Sequence, residues 1–565
     1  MKDIKNALCK QLLTKEGLIG DYNYKHLFTP KVPHLRFWKK RPPQDDAVNQ
    51  PFFAVDQPMP ILLGMILGFQ HALAMLGGVM APPLSIASSA NLSDADQQYL
   101  VSCGLIVSGI LTAVQVARAR IWKTNYYIGS GLISVVGISF TTVTITSNAF
   151  PMMYNSGFCP VDASGAELPC PDGYGAIIAT GSVCALSEIA ISFLPPKVIK
   201  KLFPPIITGS VVVVIGLSLV KSGFKDWLGG SGCMSSDYCP SASAPHPLPW
   251  GSAEFIGLGF LVYVSIIAFE KWGAPIMKSC SVILGLLVGC IVAAACNYFD
   301  NSSISSAPVA NFLWVKTFKL KVYGPAVLPM LAMYSTSALQ AIGDITATCD
   351  VSRVEVEGPQ FQSRIQGCLL ADGVSGVLSG LFTLTPVGTF AQNNGVISIT
   401  KCANRKVGYW CCFYLIVMGV FSKFAAALVA IPKAVLGGMT TFLFGSVFAS
   451  GLSIIGLCKF TRRDRFILTG ALVPGCAAVL IPTWFDNVFT YSGSNDALTG
   501  FLQAIIMVME TGYALTAVLG VILNLIIPWA EDDFEAYGIS ENVELENVSN
   551  VNVLMGPKEL ESQGL

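Results

Sequence analysis

Charged residues are scarce. Asp, Glu, Lys and Arg together make up 12% of the 565 residues, against about a quarter in ordinary soluble domains. That scarcity excludes a water-exposed fold of this size. The 35 basic and 35 acidic side chains balance, and no basic block extends beyond the few residues around Lys39, Lys40 and Arg41. The chain therefore lacks the electrostatic footprint of a nucleic-acid partner. Histidine is scarcer still, at four residues, and no CxxC or His cluster has metal-ligand spacing. The one His inside an apolar run, His71, has no Asp or Glu beside it in sequence. That speaks against a nucleophile activated by a His base. No metal, cofactor or enzymatic activity is expected. The first residues also lack the short basic and apolar regions of a cleavable signal, and the C-terminus carries no prenylation or retrieval sequence.

What the sequence has instead is apolar length. Hydrophobic residues make up 53% of the chain and come in runs of about 20, the number a helix needs to cross a hydrocarbon core of about 30 Å. The runs fall near 59–80, 98–117, 127–147, 175–195, 205–222, 253–270, 276–298, 324–345, 367–384, 390–400, 408–430, 434–456, 466–482 and 501–528. They predict an all-α polytopic membrane protein with 14 transmembrane segments in residues 59–528. A basic tail of residues 1–58 precedes them, and an acidic polar tail of residues 529–565 follows. The run at 390–400 is too short for a regular crossing, and 127–147 is rich in Gly, Ser and Thr. Both are expected to be broken elements, which survive at membrane depth only against protein or a watery cavity.

Loop charge sets the orientation. Loops on the side of the N-terminal tail carry 17 Lys and Arg, from Arg118, Arg120 and Lys123 to Lys459, Arg462, Arg463 and Arg465. The opposite loops carry six: Lys221, Lys225, Lys316, Lys319, Lys321 and Lys433. By the positive-inside rule both tails are cytoplasmic. Cys159 with Cys170, and Cys233 with Cys239, share predicted external loops where each pair can close a disulfide. Most other cysteines fall in apolar runs and are expected to pack as small hydrophobes. Asn91 and Asn301 head glycosylation sequons on predicted external loops.

Polar side chains inside the runs are costly, and they are few. They are Gln70 and His71, Glu188, Gln340 and Asp344, Asp372, the triplet Gln392-Asn393-Asn394, Lys423 and Glu510. Gln340 and Asp344 are four apart and share one helix face. An isolated group such as Glu188 or Glu510 reads as an interhelical hydrogen bond. Gln340, Asp344, Asp372 and Gln392, all within about 50 residues, read instead as the lining of a site for a polar solute. Transport of such a solute needs oriented donors and acceptors, an aromatic surface and a carboxylate that can exchange a proton. The chain supplies all three.

One of these groups belongs to a longer pattern. Gln392-Asn393-Asn394-Gly395-Val396-Ile397-Ser398-Ile399-Thr400-Lys401 resembles the signature of the nucleobase-ascorbate transporters. That signature is Gln, Glu or Pro, then Asn, any residue, Gly, four of any kind, Thr, and Arg, Lys or Gly. Gln70-His71 resembles the family's first-span motif. Ala341-Ile342-Gly343-Asp344, followed by Thr346-Ala347-Thr348-Cys349-Asp350, resembles its eighth. The similarity runs from the first span to the acidic tail and is strongest to the fungal uric acid/xanthine permeases, down to Thr389-Phe390-Ala391 ahead of the signature.

The resemblance implies two inverted seven-helix repeats. Spans 1–4 and 8–11 would form a core domain that carries substrate, and spans 5–7 and 12–14 a gate domain that makes a homodimer. Spans 3 and 10 would each hold a short strand before a half-helix. An elevator-like movement of core against gate would carry a purine across the plasma membrane with a proton. Gln392 would hydrogen-bond the purine through its amide, and Phe140 would stack on it, with backbone groups near Phe140 and Ala391 adding contacts. Asn393 would orient the site, Gly395 would permit close backbone approach, and Thr400 and Lys401 would lie at the cytoplasmic side of the half-helix. Asp344 and Asp372 would serve coupling, and Gln70 and His71 the core fold.

One position departs from the family. Purine-transporting relatives carry a glutamate where this chain has Gln340, which donates and accepts hydrogen bonds but cannot ionise. A cotransported proton would then use Asp344 or Asp372. Three readings stay open: a symporter for uric acid, xanthine or a related purine; a transporter of another solute such as hypoxanthine, guanine or uracil; and a nutrient sensor that binds without transporting.

Overall fold

The computed structural model describes residues 52–528 except 164, 195–203, 231–237, 240–245, 299–303, 306, 357, 391, 457, 482, 486 and 490–495, together with 14–19 and 24–29. Two short helices, α1 (Lys15–Leu18) and α2 (Tyr24–Phe28), precede the main body. Leu27 of α2 is buried in one apolar cluster with Phe53, Val55 and Met59. The first half of the body runs α3 (Ile61–Ser89), α4 (Asp94–Ala117), β1 (Ala119–Arg120), β2 (Tyr127–Ile128), β3 (Val135–Ile138), α5 (Phe140–Asn155) and α6 (Pro171–Ser192). It continues through α7 (Pro205–Trp227), α8 (Ala253–Trp272), α9 (Pro275–Ser279) and α10 (Ser281–Ala295). The second half runs α11 (Gly324–Val351), α12 (Pro359–Leu381), β4 (Val387–Phe390), α13 (Gln392–Thr400), α14 (Arg405–Val420) and α15 (Ser422–Val429). It ends with α16 (Lys433–Ile455), α17 (Arg462–Leu480), α18 (Asp496–Glu510) and α19 (Gly512–Ile526).

Among the described residues, seven helices are long and apolar enough to cross a membrane: α3, α4, α6, α7, α8, α11 and α16. The number rises to nine if each of two bent pairs counts as one span, α14 with α15 at 77° and α18 with α19 at 91°. Lys423 and Glu510, both polar residues inside apolar runs, stand at these two bends. The run at 276–298 divides into α9 and α10, and α10, at 15 residues, spans only about 22 Å. The run at 127–147 is not a continuous helix either. Its helix starts at Phe140 and continues to Asn155.

Strands β3 and β4 pair antiparallel, with Val135 opposite Phe390, Val136 opposite Thr389, Gly137 opposite Gly388 and Ile138 opposite Val387. All eight residues are buried. Backbone N–H and C=O groups at this depth must be paired within the protein, and the ribbon pairs two stretches at once. One group on its outer edge is satisfied from α4, where Val136 N donates to Thr112 Oγ1 at 2.9 Å.

Around this ribbon α4 packs on α14, α3 on α14, α6 on α12 and α11, and α7 along α16. The last crossing is close because it lacks side chains. A Cβ at Gly216 would lie 2.5 Å from Phe448 Cα, and one at Gly451 would lie 2.6 Å from Val213 N. Small residues of this kind let membrane helices approach where apolar burial gives no advantage over lipid. On the outside, Phe260, Leu287, Ile291, Leu480, Leu525 and Ile526 are each more than half exposed. Such a surface is stable against hydrocarbon and a liability in water.

Cys159 and Cys170 form a disulfide. Cys233 and Asn301 lie outside the described residues. The Asn91 sequon is folded into a helix start: the Asn91 amide donates to Tyr154 Oη at 3.2 Å and Glu167 Oε2 at 3.3 Å, and Ser93 caps α4 by accepting from Asp96 N. Glu188 departs from expectation. Both of its carboxylate oxygens are buried with no hydrogen-bond partner among the described residues, so it is not an interhelical hydrogen bond.

Candidate functional site

The ribbon positions the centre of the molecule. β3 leads into α5 and β4 into α13, so Phe140 and Gln392 are each the first residue of a helix that follows one strand of the same pair. Helix starts leave backbone N–H groups without intrahelical partners, which suits them to an electron-rich ligand. Ser139, before α5, gives no side-chain cap.

An aromatic cluster stands beside these helix starts. The Phe140 ring lies parallel to that of Phe390, with centroids 5.5 Å apart and planes 4° apart. Phe444 of α16 meets Phe140 edge-on at 5.5 Å. Phe390 sits in a slot made by two residues without side chains: a Cβ at Gly78 of α3 would lie 2.6 Å from its ring, and one at Gly137 of β3 would lie 2.5 Å away. All three rings are buried. In this arrangement the parallel pair is closed on itself, because a flat heterocycle between the rings needs planes about 7 Å apart, twice an ordinary carbon contact.

Polar groups on α3, α11, α12, β4 and α13 connect these elements. His71 Nδ1 lies 3.1 Å from Asn393 Oδ1, and in the tautomer with its proton on Nδ1 the ring donates to that amide oxygen. Asn394 ties α13 to α11, with its Oδ1 2.7 Å from Thr348 Oγ1 and its Nδ2 donating to the Asp344 carbonyl at 3.4 Å. Asp372 of α12 accepts from Thr389 Oγ1 of β4 at 3.5 Å. Gln340 is exposed on α11, in an open stripe with Gly343, Ala347 and Asp350, and nothing lies within 4 Å of a Cβ built at Gly343. Asp344, one turn from Gln340, is half-buried. Gln70 is fully buried, with neither amide atom partnered among the described residues.

Other signature residues hold the half-helix. Thr400 donates to its own helix at Val396 O, 2.7 Å away. Lys401 ends α13 in the left-handed region (φ +54°), and its carbonyl accepts from Phe53 N at 3.0 Å. The segment just before α3 thus docks beneath α13, reinforced by Asn404 Nδ2 donating to Ala54 O and by an ion pair of Arg405 with Asp56. Gly395 lies inside α13. Ala391 and the Gln392 side chain fall outside the described residues.

Sequence reasoning missed Phe390 and Phe444 as parts of this centre, and it counted Asn394 among the polar groups at membrane depth without giving it a role. Phe390 had a signal in the Gly388-Thr389-Phe390 alternation ahead of the signature. Asn394 occupies the unconstrained position of the signature, and Phe444 has no local signal at all.

A helical bundle with an apolar exterior and a buried polar and aromatic centre where two elements break is a multi-pass membrane transporter. Residues 64–484 match the Permease family. The chain belongs to that family, the nucleobase-ascorbate transporters, and is not an enzyme. It is 58% identical over 522 residues to a uric acid-xanthine permease of Emericella nidulans, covering 92% of this chain and 89% of the relative. It is 57% identical over 538 residues to a purine permease of the same organism, covering 93% and 91%. In fold it is similar to the transmembrane domain of a cyanobacterium bicarbonate transporter, BicA, with a TM-score of 0.51, 16% identity, and coverage of 74% of this chain and 96% of that one.

Proposed function

We propose that the protein takes up uric acid, xanthine or a related oxopurine across the plasma membrane together with protons, by an elevator movement of a core domain against a gate domain. The observation that carries this reading is the shared ribbon that starts two helices at Phe140 and Gln392 beside a stacked ring pair. The names of the two fungal relatives support the class of cargo.

Packing supports the two-repeat architecture. Let α3 to α8 be spans 1–6, with β3 and α5 together as span 3 and α9 and α10 together as span 7. Let α11, α12, β4 with α13, and α14 with α15 be spans 8–11, and α16, α17 and α18 with α19 be spans 12–14. Exchanging each span with the one seven places later then turns the packing onto itself. Span 2 on 11 becomes 9 on 4, span 1 on 11 becomes 8 on 4, and span 6 on 12 becomes 13 on 5. The pairs 5 with 12 and 3 with 10 map onto themselves. In this scheme both tails are cytoplasmic, Phe140 and Phe390 belong to the core and Phe444 to the gate, through which the chain forms a homodimer.

Gln392 would hold the purine edge and Phe140 its face, with Ala391 and Gln340 completing the contacts. Asn393 and Gly395 would orient the half-helix that Thr400 and Lys401 terminate. Asp344 and Asp372 would couple the proton, and Gln70 and His71 would stabilise the core. The test is pH-dependent uptake of labelled xanthine and uric acid in cells without permeases of their own. Gln392→Ala is expected to abolish uptake at normal surface expression, and normal transport by that variant would refute the site. Gln340, which cannot ionise, keeps one alternative open: binding without uptake, converted to uptake by Gln340→Glu, would mark a sensor.

A further inference from the structure

Glu188 is buried, titratable and unused by the scheme above. It lies on α6 where that helix presses on α12: a Cβ at Gly373 would lie 2.7 Å from Ile189 N and 3.2 Å from the Glu188 carbonyl carbon. This contact brings Glu188 within electrostatic reach of Asp372, the neighbour of Gly373. The two residues are 0% and 1% exposed. Neither Glu188 oxygen has a hydrogen-bond partner among the described residues, and Asp372 has Thr389 on Oδ2 alone. A third group points into the same space. The Tyr334 hydroxyl of α11 lies over Gly376, one turn along α12, fully buried and unpartnered among the described residues, in the electrostatic field of both carboxylates but hydrogen-bonded to neither.

The other titratable groups around the pair are Asp344 on α11, Cys368 on α12 and Cys184 on α6. None of them is a cation. Among the described residues no Lys or Arg is paired with either carboxylate. Arg364, two turns before Asp372, donates instead to Ser130 O at 2.9 Å. Two carboxylates in a dry space without a cation do not both ionise, since desolvation and mutual repulsion act together. One proton held by the pair relieves that repulsion, and a second makes the pair neutral. The link to the ribbon is direct: Thr389 bonds Asp372 and precedes Phe390, whose ring stacks on Phe140.

We propose that Glu188 and Asp372 form a proton-sharing pair, and that the second proton on this pair is the one carried with the substrate. The proton enters from the outer water when the core loads and leaves to the cytoplasm when it empties. The neutral pair is the form that crosses, because an uncompensated charge at membrane depth is costly. Glu188 thereby supplies the ionisable group that Gln340 does not. The inference rests on the proton-symport reading and adds a residue to it.

The test uses the full-length protein in cells without other purine permeases. Labelled xanthine uptake is followed from about pH 5 to pH 8, with cytoplasmic pH read by a ratiometric dye and surface amount by a fluorescent tag. Wild type is expected to take up more xanthine as external pH falls and to acidify the cytoplasm. Glu188→Gln is expected to flatten the pH profile and to lose acidification per xanthine, and Glu188→Asp to keep a pH dependence with a displaced midpoint. A Glu188→Gln variant with the wild-type profile and acidification overturns the role of Glu188. If Glu188→Gln does not reach the surface, Glu188→Asp decides, and a profile superimposable on wild type overturns the proposal. A wild type that is flat in pH and moves no protons overturns the symport reading itself, and this pair with it.

Discussion

Gly137→Ala tests whether the slot around Phe390 sets transport. The added methyl would lie 2.5, 2.8 and 3.0 Å from three atoms of the Phe390 ring, where ordinary carbon contacts are about 3.5–4.0 Å. The ring must therefore shift by about 1 Å, and it has little room to do so, because it is also packed so closely on Gly78 that a Cβ there would lie 2.6 Å from it. Overpacking of this size costs about 1–3 kcal/mol, and losing the parallel contact with Phe140 adds about 0.5–1.5 kcal/mol. About 1.4 kcal/mol expressed in substrate affinity is a tenfold change, so KM for xanthine is expected to rise about tenfold, with a lower melting temperature of the purified protein. Gly257→Ala on α8 is the control: nothing lies within 4 Å of its Cβ, and replacing a helical glycine in open space stabilises by about 0.5–1 kcal/mol. Phe390→Leu removes the ring that the methyl strikes, so Gly137→Ala should add no further defect to it. Wild-type KM and melting for Gly137→Ala, or strictly additive defects in the double variant, would refute the argument.

The Cys159–Cys170 bond closes a short loop, with a sequence separation of 11, so Cys159→Ser is expected to cost about 2–4 kcal/mol. Thermal melts with and without reductant check this, and equal melting in both rules it out. His71→Ala and Asn393→Ala each strand a buried polar partner at a cost of about 1–3 kcal/mol. The double variant is therefore expected to lose no more surface protein than the worse single one, and a loss equal to the sum would show that the two side chains act independently.

Much of the bundle was legible in sequence because the membrane imposes one length and one polarity on every crossing helix. α3, α4, α6, α7, α8, α11 and α16 coincide with long apolar runs, the segment flagged at 127–147 contains β3, and the one at 390–400 starts on the last residue of β4 and continues as the short α13. What composition could not reveal depends on distant register. Phe140 and Phe390 meet because Val135 is opposite Phe390 and Ile138 opposite Val387, a pairing between residues some 250 positions apart in sequence that no local period encodes. Lys401 shows the converse. The last signature position admits glycine, and its left-handed backbone gives the physical reason, one that concerns ending a helix and not holding a ligand. Glu188 was read as a tie between helices because single sequence positions do not show that its neighbour is another carboxylate.

The β3–β4 ribbon also constrains how the chain is made. When the first half has entered the bilayer, β3 has exposed N–H and C=O groups on its unpaired edge and nothing in lipid to receive them. Its partner is synthesised only after α11 and α12. The newborn protein must therefore keep this stretch wet, or sheltered by the insertion machinery, until residues 387–390 arrive, and a chain truncated before them is expected to be recognised as defective and degraded despite six well-formed apolar helices.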